Sequence, residues 1–466
     1  MNKIITLSTM AFLSTTLFAS SDIQSQLDTL TKEITKLKKD QKRTKKSLSI
    51  VKAHDAKDNI KFGLDFRNAI DVIDYKDNIA DKTYENHSLL TSRLYLTMGS
   101  APMKGLIFKG KLAIYSTWGA HLVDESMALK DWSASSKATD NIMRIKEAYF
   151  VYSNSIASQP ISFSIGRRPA SNGILANYRE NEPTSGSPVA HITNMEVTAG
   201  MTRLDTSRFV EGSYTKFIYG RAHSGEKEGV YGDNVNLSTP YADLDTAKED
   251  ENVDFSTVLG DAYNDGQYQL TYQWSHIFDT KGRELNPNSE GNNPKGIKNA
   301  SGYADLISLS LKSEGVGDEI NDFLDETILF ISGAYTNFSA KDGHSLLGSS
   351  DGGSKDGHSL WVGAIFPDMI TESGKFGVEY NYGSKYWTPM TWAEDSAIGS
   401  KIAVRGSAYE AYWNFDLFGV KYLPSQIRYT YVQHDFTPNN RCAGWIKPVA
   451  VDMTSSDLRL SVSYRY

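Results

Sequence analysis

Strict alternation of apolar and polar residues, repeated along most of the chain, constrains this sequence more than any other feature. The chain ends in "DLRLSVSYRY". There Leu458, Leu460, Val462, Tyr464 and Tyr466 fall on one side of an extended strand, and Arg459, Ser461, Ser463 and Arg465 on the other, because strand side chains alternate with period two. A soluble sheet also alternates, but free chain ends fray. A final strand that runs to the last residue therefore predicts a closed barrel whose last strand pairs with its first.

The same pattern recurs from residue 60 onward. "KFGLDFRNAI" sets Phe62, Leu64 and Phe66 against Gly63, Asp65 and Arg67, and "SLLTSRLYLTM" sets Leu94, Leu96 and Met98 against Arg93, Tyr95 and Thr97. "GQYQLTYQWSH" is the cleanest case, with Tyr268, Leu270, Tyr272 and Trp274 against Gln267, Gln269, Thr271 and Gln273. "KFGVEYNYGS", "SAYEAYWNFD" and "SQIRYTYVQH" repeat the scheme. One face is apolar and aromatic and the other polar, the lipid-out, water-in pattern of a transmembrane barrel. By parity Arg67, Arg93, Arg428, Arg459, Arg465, Asp65, Glu196, Glu379 and Glu410 face the lumen. In a narrow passage such charges select ions; in wide water they do little.

Connections alternate in length. Short ones ("GSAPMKG", "SNSIASQ", "LDTSR", 417–420) interleave with long stretches rich in Gly, Ser, Asn and Asp near 119–141, 169–191, 222–252, 279–301, 339–357, 384–405 and 435–455. Fifteen strands stand out. With fifteen, long and short connections fall out of step after residue 222. A further strand near 253–262 ("VDFSTVLGDA") restores the alternation and predicts sixteen. The expected fold is an all-β transmembrane barrel of about sixteen antiparallel strands over 60–466, preceded by an α-helical coiled-coil stalk. No run of about 18 apolar residues spans a bilayer as a helix. Tyr (26) and Phe (19) are plentiful, as interfacial girdles require. Cys442 is the only cysteine, so no intrachain disulfide forms.

The N-terminus differs. Lys3 and "IITLSTMAFLSTTLFA" followed by small residues read as an export signal over 1–21; an uncleaved amphipathic segment is the alternative. Over 22–59, Ile23, Leu27, Leu30, Ile34, Leu37, Gln41, Thr44, Leu48 and Val51 fall at alternating steps of four and three. That is a heptad seam, expected as a periplasmic coiled coil, with a lone helix packed on the barrel as the alternative. The seam does not decide two strands against three. Residues 22–61 hold eleven Lys/Arg and six Asp/Glu, hence +5; the signal adds +1, and the whole chain is -7, which leaves about -13 (-7 - 1 - 5) on the rest. A basic rod suits contact with an anionic layer such as peptidoglycan, or is a solvated helix face. The acidic body predicts a weak cation bias that emerges at low salt.

"RIKEAYFVYS", "PISFSIGRRPASNGI", "KFGVEYNYGSKYW" and the terminal Tyr466 resemble an uncharacterised porin-like outer-membrane family of microaerophilic Gram-negative bacteria, over most of the chain after about residue 55. The signal, stalk and barrel also resemble coiled-coil-anchored porins. The resemblance implies that Tyr464 and Tyr466 form the signal read by the barrel-assembly machinery, where Phe is the usual last residue. It also implies that 169–191, with Arg179, Glu180 and Glu182, and Arg167 and Arg168 just before it, is the loop that folds into the channel.

Other motifs carry less. "GSSDG" at 348–352 matches G-x-S-x-G around Ser350, but no helix pattern follows it, as a nucleophile elbow needs. "KDGHSL" occurs twice, and His344 and His358 would bind a metal only if the two copies met. "DLDTAKEDENVD" at 243–254 lacks an EF-hand spacing. No cofactor, structural metal or nucleic-acid partner is expected. The expectation is an outer-membrane porin, a homotrimer, passing small hydrophilic solutes and not an enzyme. The rivals are a structural anchor or adhesin with a plugged barrel and, more remotely, a barrel enzyme.

Overall fold

A computed structural model describes residues 60–118, 143–168, 173–182, 185–187, 189–223, 252–285, 294–316, 320–371, 373–391, 396–438 and 445–466. The signal and stalk segments lie outside the described residues. The chain divides into two compact units, one of 1–60 with 100–104 and the other of 61–99 with 105–466. The second unit is the barrel.

Sixteen long strands form it: β1 (Lys61–Asp77), β2 (Lys82–Met103), β3 (Leu106–Thr117), β4 (Arg144–Ile156), β5 (Gln159–Arg168), β6 (Val197–Asp205), β7 (Tyr214–His223), β8 (Val253–Asn264), β9 (Tyr268–Leu285), β10 (Pro294–Glu314), β11 (Ile328–Ala340), β12 (Ser354–Pro367), β13 (Lys375–Gly383), β14 (Gly406–Asp416), β15 (Pro424–Phe436) and β16 (Ala450–Arg465). Each bonds to its neighbours in chain order. The ring closes where β1 meets β16 antiparallel, from Asp65 opposite Arg465 to Asp77 opposite Met453. Closure leaves no edge strand with unpaired backbone groups. The strand inferred from parity alone is present as β8, paired on both sides.

Most connections at one end are short: 104–105, 157–158, 206–213, 265–267, 368–374 and 417–423, with a longer one at 315–327. We call this the short-turn end; β1 starts here and β16 finishes here. Two expectations about the other end need correction. The first connection there, 78–81, is as short as a turn. The presumed long loop over 279–301 is mostly strand, because β9 continues to Leu285 and β10 begins at Pro294.

Outward residues are apolar: Phe66 and Ile70 on β1, Trp274 on β9, Leu309 and Leu311 on β10, Val378 on β13 and Leu458 and Leu460 on β16 are all exposed. Aromatic rings pack across strands on this face. Phe376 stacks on Trp413 at 5.3 Å, and Tyr409 sits between Tyr380 (5.1 Å) and Tyr431 (6.5 Å). Such a surface is unfavourable in water and suited to hydrocarbon.

The inward face is not uniformly polar, contrary to the water-in pattern. On β11 and β12 it carries Ile328, Phe330, Ala334, Phe338, Trp361 and Ile365, all buried. These residues meet segments folded in from the long-loop end. Ile174, Leu175, Ala176, Ala190 and Ile402 pack on Phe330, Trp361 and Ile365. Ile192, Leu346, Leu347, Trp387 and Trp445 pack on Leu306, Ala334 and Phe338. Each large side chain so buried contributes about 1.5–3 kcal/mol. The barrel therefore has a core inside its lumen, made by wall and loops together.

Candidate functional site

The described parts of 173–196 thread through the lumen. A single helical turn, α1 (Ala176–Arg179), and the residues after it reach the short-turn end. Tyr178 OH donates to Glu314 at the end of β10 (2.9 Å), while Asn414 Nδ2 donates to Tyr178 O (3.0 Å) and Gln426 Nε2 to Arg179 O (2.7 Å). Arg465 Nη1 donates to Asn181 O at 3.2 Å. The segment is thus tied to β10 on one side and β14–β16 on the other. Burial and the Glu314 carboxylate push the Tyr178 phenol well above its ordinary range.

The returning half is pinned at His191, which is fully buried between Trp361 (5.8 Å) and Trp387 (5.5 Å). Its Nδ1 and Nε2 lie 2.7 and 2.9 Å from the hydroxyls of Ser332 and Ser359. Ser359 donates its own proton to Tyr382 O (2.6 Å). It must therefore accept from Nε2–H, which leaves Nδ1 to accept from Ser332. Burial without a charged partner pushes the imidazole down to about 3. A two-residue parallel ladder, Thr193–Asn194 with Met390–Thr391, joins this segment to the second inserted one, within 384–405.

That second segment carries two buried cations. Arg405 donates to Trp387 O (2.9 Å), Thr388 Oγ1 (2.8 Å) and Thr437 O (3.1 Å), and burial lowers its guanidinium to about 10, still charged at neutral pH. Lys401 reaches the wall, 2.6 Å from Glu379, and also pairs with Glu410. Trp361 Nε1 donates to Glu379 (2.8 Å) and Thr430 to Glu410 (2.7 Å). Arg179 and Arg428 approach Glu410 at 3.8 and 3.9 Å.

The residues singled out by parity therefore lie inside, but not in wide water. Arg67, Arg93, Glu196, Glu379, Glu410, Arg428 and Arg459 are all buried. Arg67 stands opposite Arg93 across β1 and β2, and Arg428 opposite Arg459 across β15 and β16. Arg93 pairs with Asp65 (3.2 Å), Arg459 with Asp71, and Glu196 with Lys146. Arg465 is half-buried and 3.2 Å from Asp65. Of the loop candidates, Arg179 is buried, pairs with Glu180 at 3.1 Å and faces Glu410. Glu182 turns back to α1, its carbonyl accepting from Asn177 (3.1 Å). Arg168 lies 4.9 Å over the ring of Tyr149, with the half-buried Arg167 beside it. Tyr464 and Tyr466 point outward. Parity did not mark Lys401, Arg405 or His191; they lie in loops, where no period exists to read.

A cavity of about 420 Å³ remains at the short-turn end, between Ile174 and Ser185–Ser187 of the inserted segment and β4, β5 and β7–β10. Arg168, Lys216, Lys312 and Asp261 line it, with Tyr149, Tyr214, Gln269 and the serines Ser185 and Ser187.

The remaining motifs separate. Ser350 sits in an exposed turn between left-handed Gly348 and Gly352, and the strand β12 follows rather than a helix. His344 stands opposite Glu284 of β9 in a short backbone ladder, whereas His358 lies on β12 opposite Tyr335. Among the described residues, the three-ligand group is Asp74, Glu85 and His87, exposed on the β1–β2 hairpin. The acidic stretch 243–254 and Cys442 lie outside the described residues, apart from Asn252–Asp254.

Known proteins of similar fold are bacterial outer-membrane proteins. Outer-membrane expressed OmpT of Vibrio cholerae is 10% identical, with 87% of this chain and 97% of that one covered and a TM-score of 0.45. OprB of Pseudomonas putida is 9% identical, with 87% and 94% covered and a TM-score of 0.46. The anion-selective porin from Comamonas acidovorans is 12% identical, with 88% and 100% covered and a TM-score of 0.45. No curated protein matches the chain. A family model described as "Protein of unknown function (DUF3373)" matches residues 83–462, and the chain belongs to that family.

Proposed function

We propose that the protein is an outer-membrane porin through which small hydrophilic solutes diffuse passively. One observation carries this reading. The barrel presents hydrocarbon-compatible residues outward, while its lumen is narrowed by the described parts of 173–196 and 384–405 yet keeps a polar cavity. A barrel meant only as a membrane plug has no need of charged, hydrogen-bonded inner walls, since burying charge is costly unless each is paired. The short-turn end then faces the periplasm, with the long loops outside. The barrel-assembly machinery would insert it into outer-membrane lipid. The heptads of 22–59 support a coiled-coil homotrimer whose basic surface reaches peptidoglycan, and 1–21 would be the export signal.

The test is single-channel conductance of the purified full chain in planar bilayers. Discrete ohmic steps are expected. A silent, fully inserted barrel would overturn the porin reading. It would instead favour a structural anchor, for which the apolar packing of Trp361, Trp387 and Phe338 inside the lumen speaks. Nothing in the geometry around Ser350 supports hydrolytic chemistry, and we propose no enzymatic role.

A further inference from the structure

We propose that the cavity at the short-turn end of the lumen binds a small oxyanion-bearing solute, a carboxylate or a phosphate. This rests on the porin reading and deepens it by naming the solute class. The motive is an imbalance of charge. Arg203 and Lys216 stand directly opposite each other across β6 and β7, an arrangement that is destabilising for like charges. Both lie against one ring, Tyr214, at 4.4 and 5.1 Å. Arg168 adds a third cation on the neighbouring strand β5. Among the described residues no carboxylate stands within 4.0 Å of Arg168, Arg203 or Lys216.

The nearby acids are already engaged. Glu314 pairs with Lys312 at 2.6 Å. Asp261 accepts from Thr271 (2.8 Å), Gln269 (2.9 Å) and Asn264 (3.2 Å), and acts on Lys216 only from beyond salt-bridge distance. Meanwhile donors remain available. Lys216 Nζ spends one proton on Ser187 Oγ (2.8 Å), and an ammonium has three. Arg168 spends one on Ser164 and keeps its planar fork, which matches the two oxygens of a carboxylate or phosphate. The tyrosine beneath each cation, Tyr149 under Arg168 and Tyr214 under Lys216, limits where the charge can move. Ser185, Ser187 and Gln269 supply neutral polar contacts for the rest of a solute. About 420 Å³ is at the small end of ligand pockets, which excludes polymers.

This local field opposes the cation bias expected from the formal charge of the whole body. That expectation came from the formal charge of the whole body, whereas these cations sit on the wall itself. At physiological salt, screening acts over about 8 Å, so wall charges govern a solute in the cavity.

Two measurements test the site on the full-length protein. In planar bilayers, sodium phosphate and sodium succinate, each added on the short-turn side, should reduce the chloride current in a saturable way. Lys216→Gln and Arg168→Gln, each verified as folded by heat-modifiable mobility, should raise the half-blocking concentration roughly tenfold or more, the loss expected for a charge-assisted hydrogen bond. Lys216→Arg should retain the block. Calorimetric titration of the detergent-solubilised protein with the same two salts reads binding without conduction. Block by phosphate alone identifies phosphate as the group recognised, and block by succinate alone identifies carboxylate. Open channels with no saturable block, and no heat of binding from either salt, would overturn the proposal while leaving the porin reading intact. Binding without channels would do the reverse.

Discussion

Glu379 and Glu410 stand directly opposite each other on β13 and β14, both buried, with the Lys401 ammonium bridging them. Two carboxylates at facing positions repel unless a cation joins them. Here the cation is carried by a loop, so the wall's electrostatics hold the inserted segment in place. The site is a latch as much as a lining.

Lys401→Met should therefore loosen the segment. Glu410 keeps Arg179 and Arg428 nearby, whereas Glu379 loses its cation and is left facing a second buried carboxylate. Breaking such a pair costs about 3–5 kcal/mol. The unfolding midpoint should fall, and single-channel conductance should rise as the segment leaves the lumen. Adding Glu379→Gln should recover most of the stability. If conductance stays at the wild-type level while stability drops, the segment does not limit the pore.

His191 provides a pH signature. Its imidazole is held down to about 3 by burial, against about 6.5 in an unfolded chain. Between these values the unfolded state binds the extra proton, so stability is lost as pH falls from about 6.5 toward 3. His191→Gln removes this titration. The wild type should lose more thermal stability than the variant between pH 7 and pH 4, measured by loss of heat-modifiable mobility. Parallel pH curves for the two would count against a neutral, buried His191.

The inserted segment also depends on one glycine of the wall. A Cβ at Gly357 on β12 would lie 2.5 Å from Trp387 Cα and 2.5 Å from Tyr386 O. Those are backbone atoms that cannot turn aside. Gly357→Val should push the segment off the wall, costing about 1–3 kcal/mol by overpacking, with the barrel still closed. Greater conductance with normal heat-modifiable migration is the expected result. A silent or unfolded product would mean that the wall strand, not the loop, gave way.

How much of this was legible in the sequence follows from what each strand packs against. β9 faces lipid on one side and polar groups on the other, and "GQYQLTYQWSH" shows it as alternation. β11 reads "ILFISGAYTNF" with apolar residues on both faces, because its inner face packs on inserted loops. The sidedness of Glu379, Glu410 and Arg428 followed from parity. Their partners did not. Arg179 meets Glu410 from half the chain away, and Lys401 sits in a loop with no period to place it. Likewise Ile174, Ile192 and Ile402 are scattered among polar loop residues, and only the assembled lumen makes them a core.

The closing strand offers the last test. Tyr466 donates its amide to Leu64 O (2.8 Å) and accepts from Leu64 N (2.9 Å), which makes the final residue part of the seam between β16 and β1. Its ring is exposed on the lipid side. Deleting Tyr466 removes both hydrogen bonds from the seam, about 0.5–1.5 kcal/mol each. Tyr466→Asp keeps the backbone bonds but puts a charge outward at the short-turn rim, where the cost for an acidic side chain is small, about 0–1 kcal/mol near the interface. If the seam alone matters, the deletion should impair barrel formation far more than the aspartate does. If the aromatic ring itself is read during assembly, both variants should accumulate outside the membrane to a similar extent. Comparing membrane-inserted, heat-modifiable protein for the two variants separates these cases. Normal insertion of both would show that closure at the seam does not depend on the last residue.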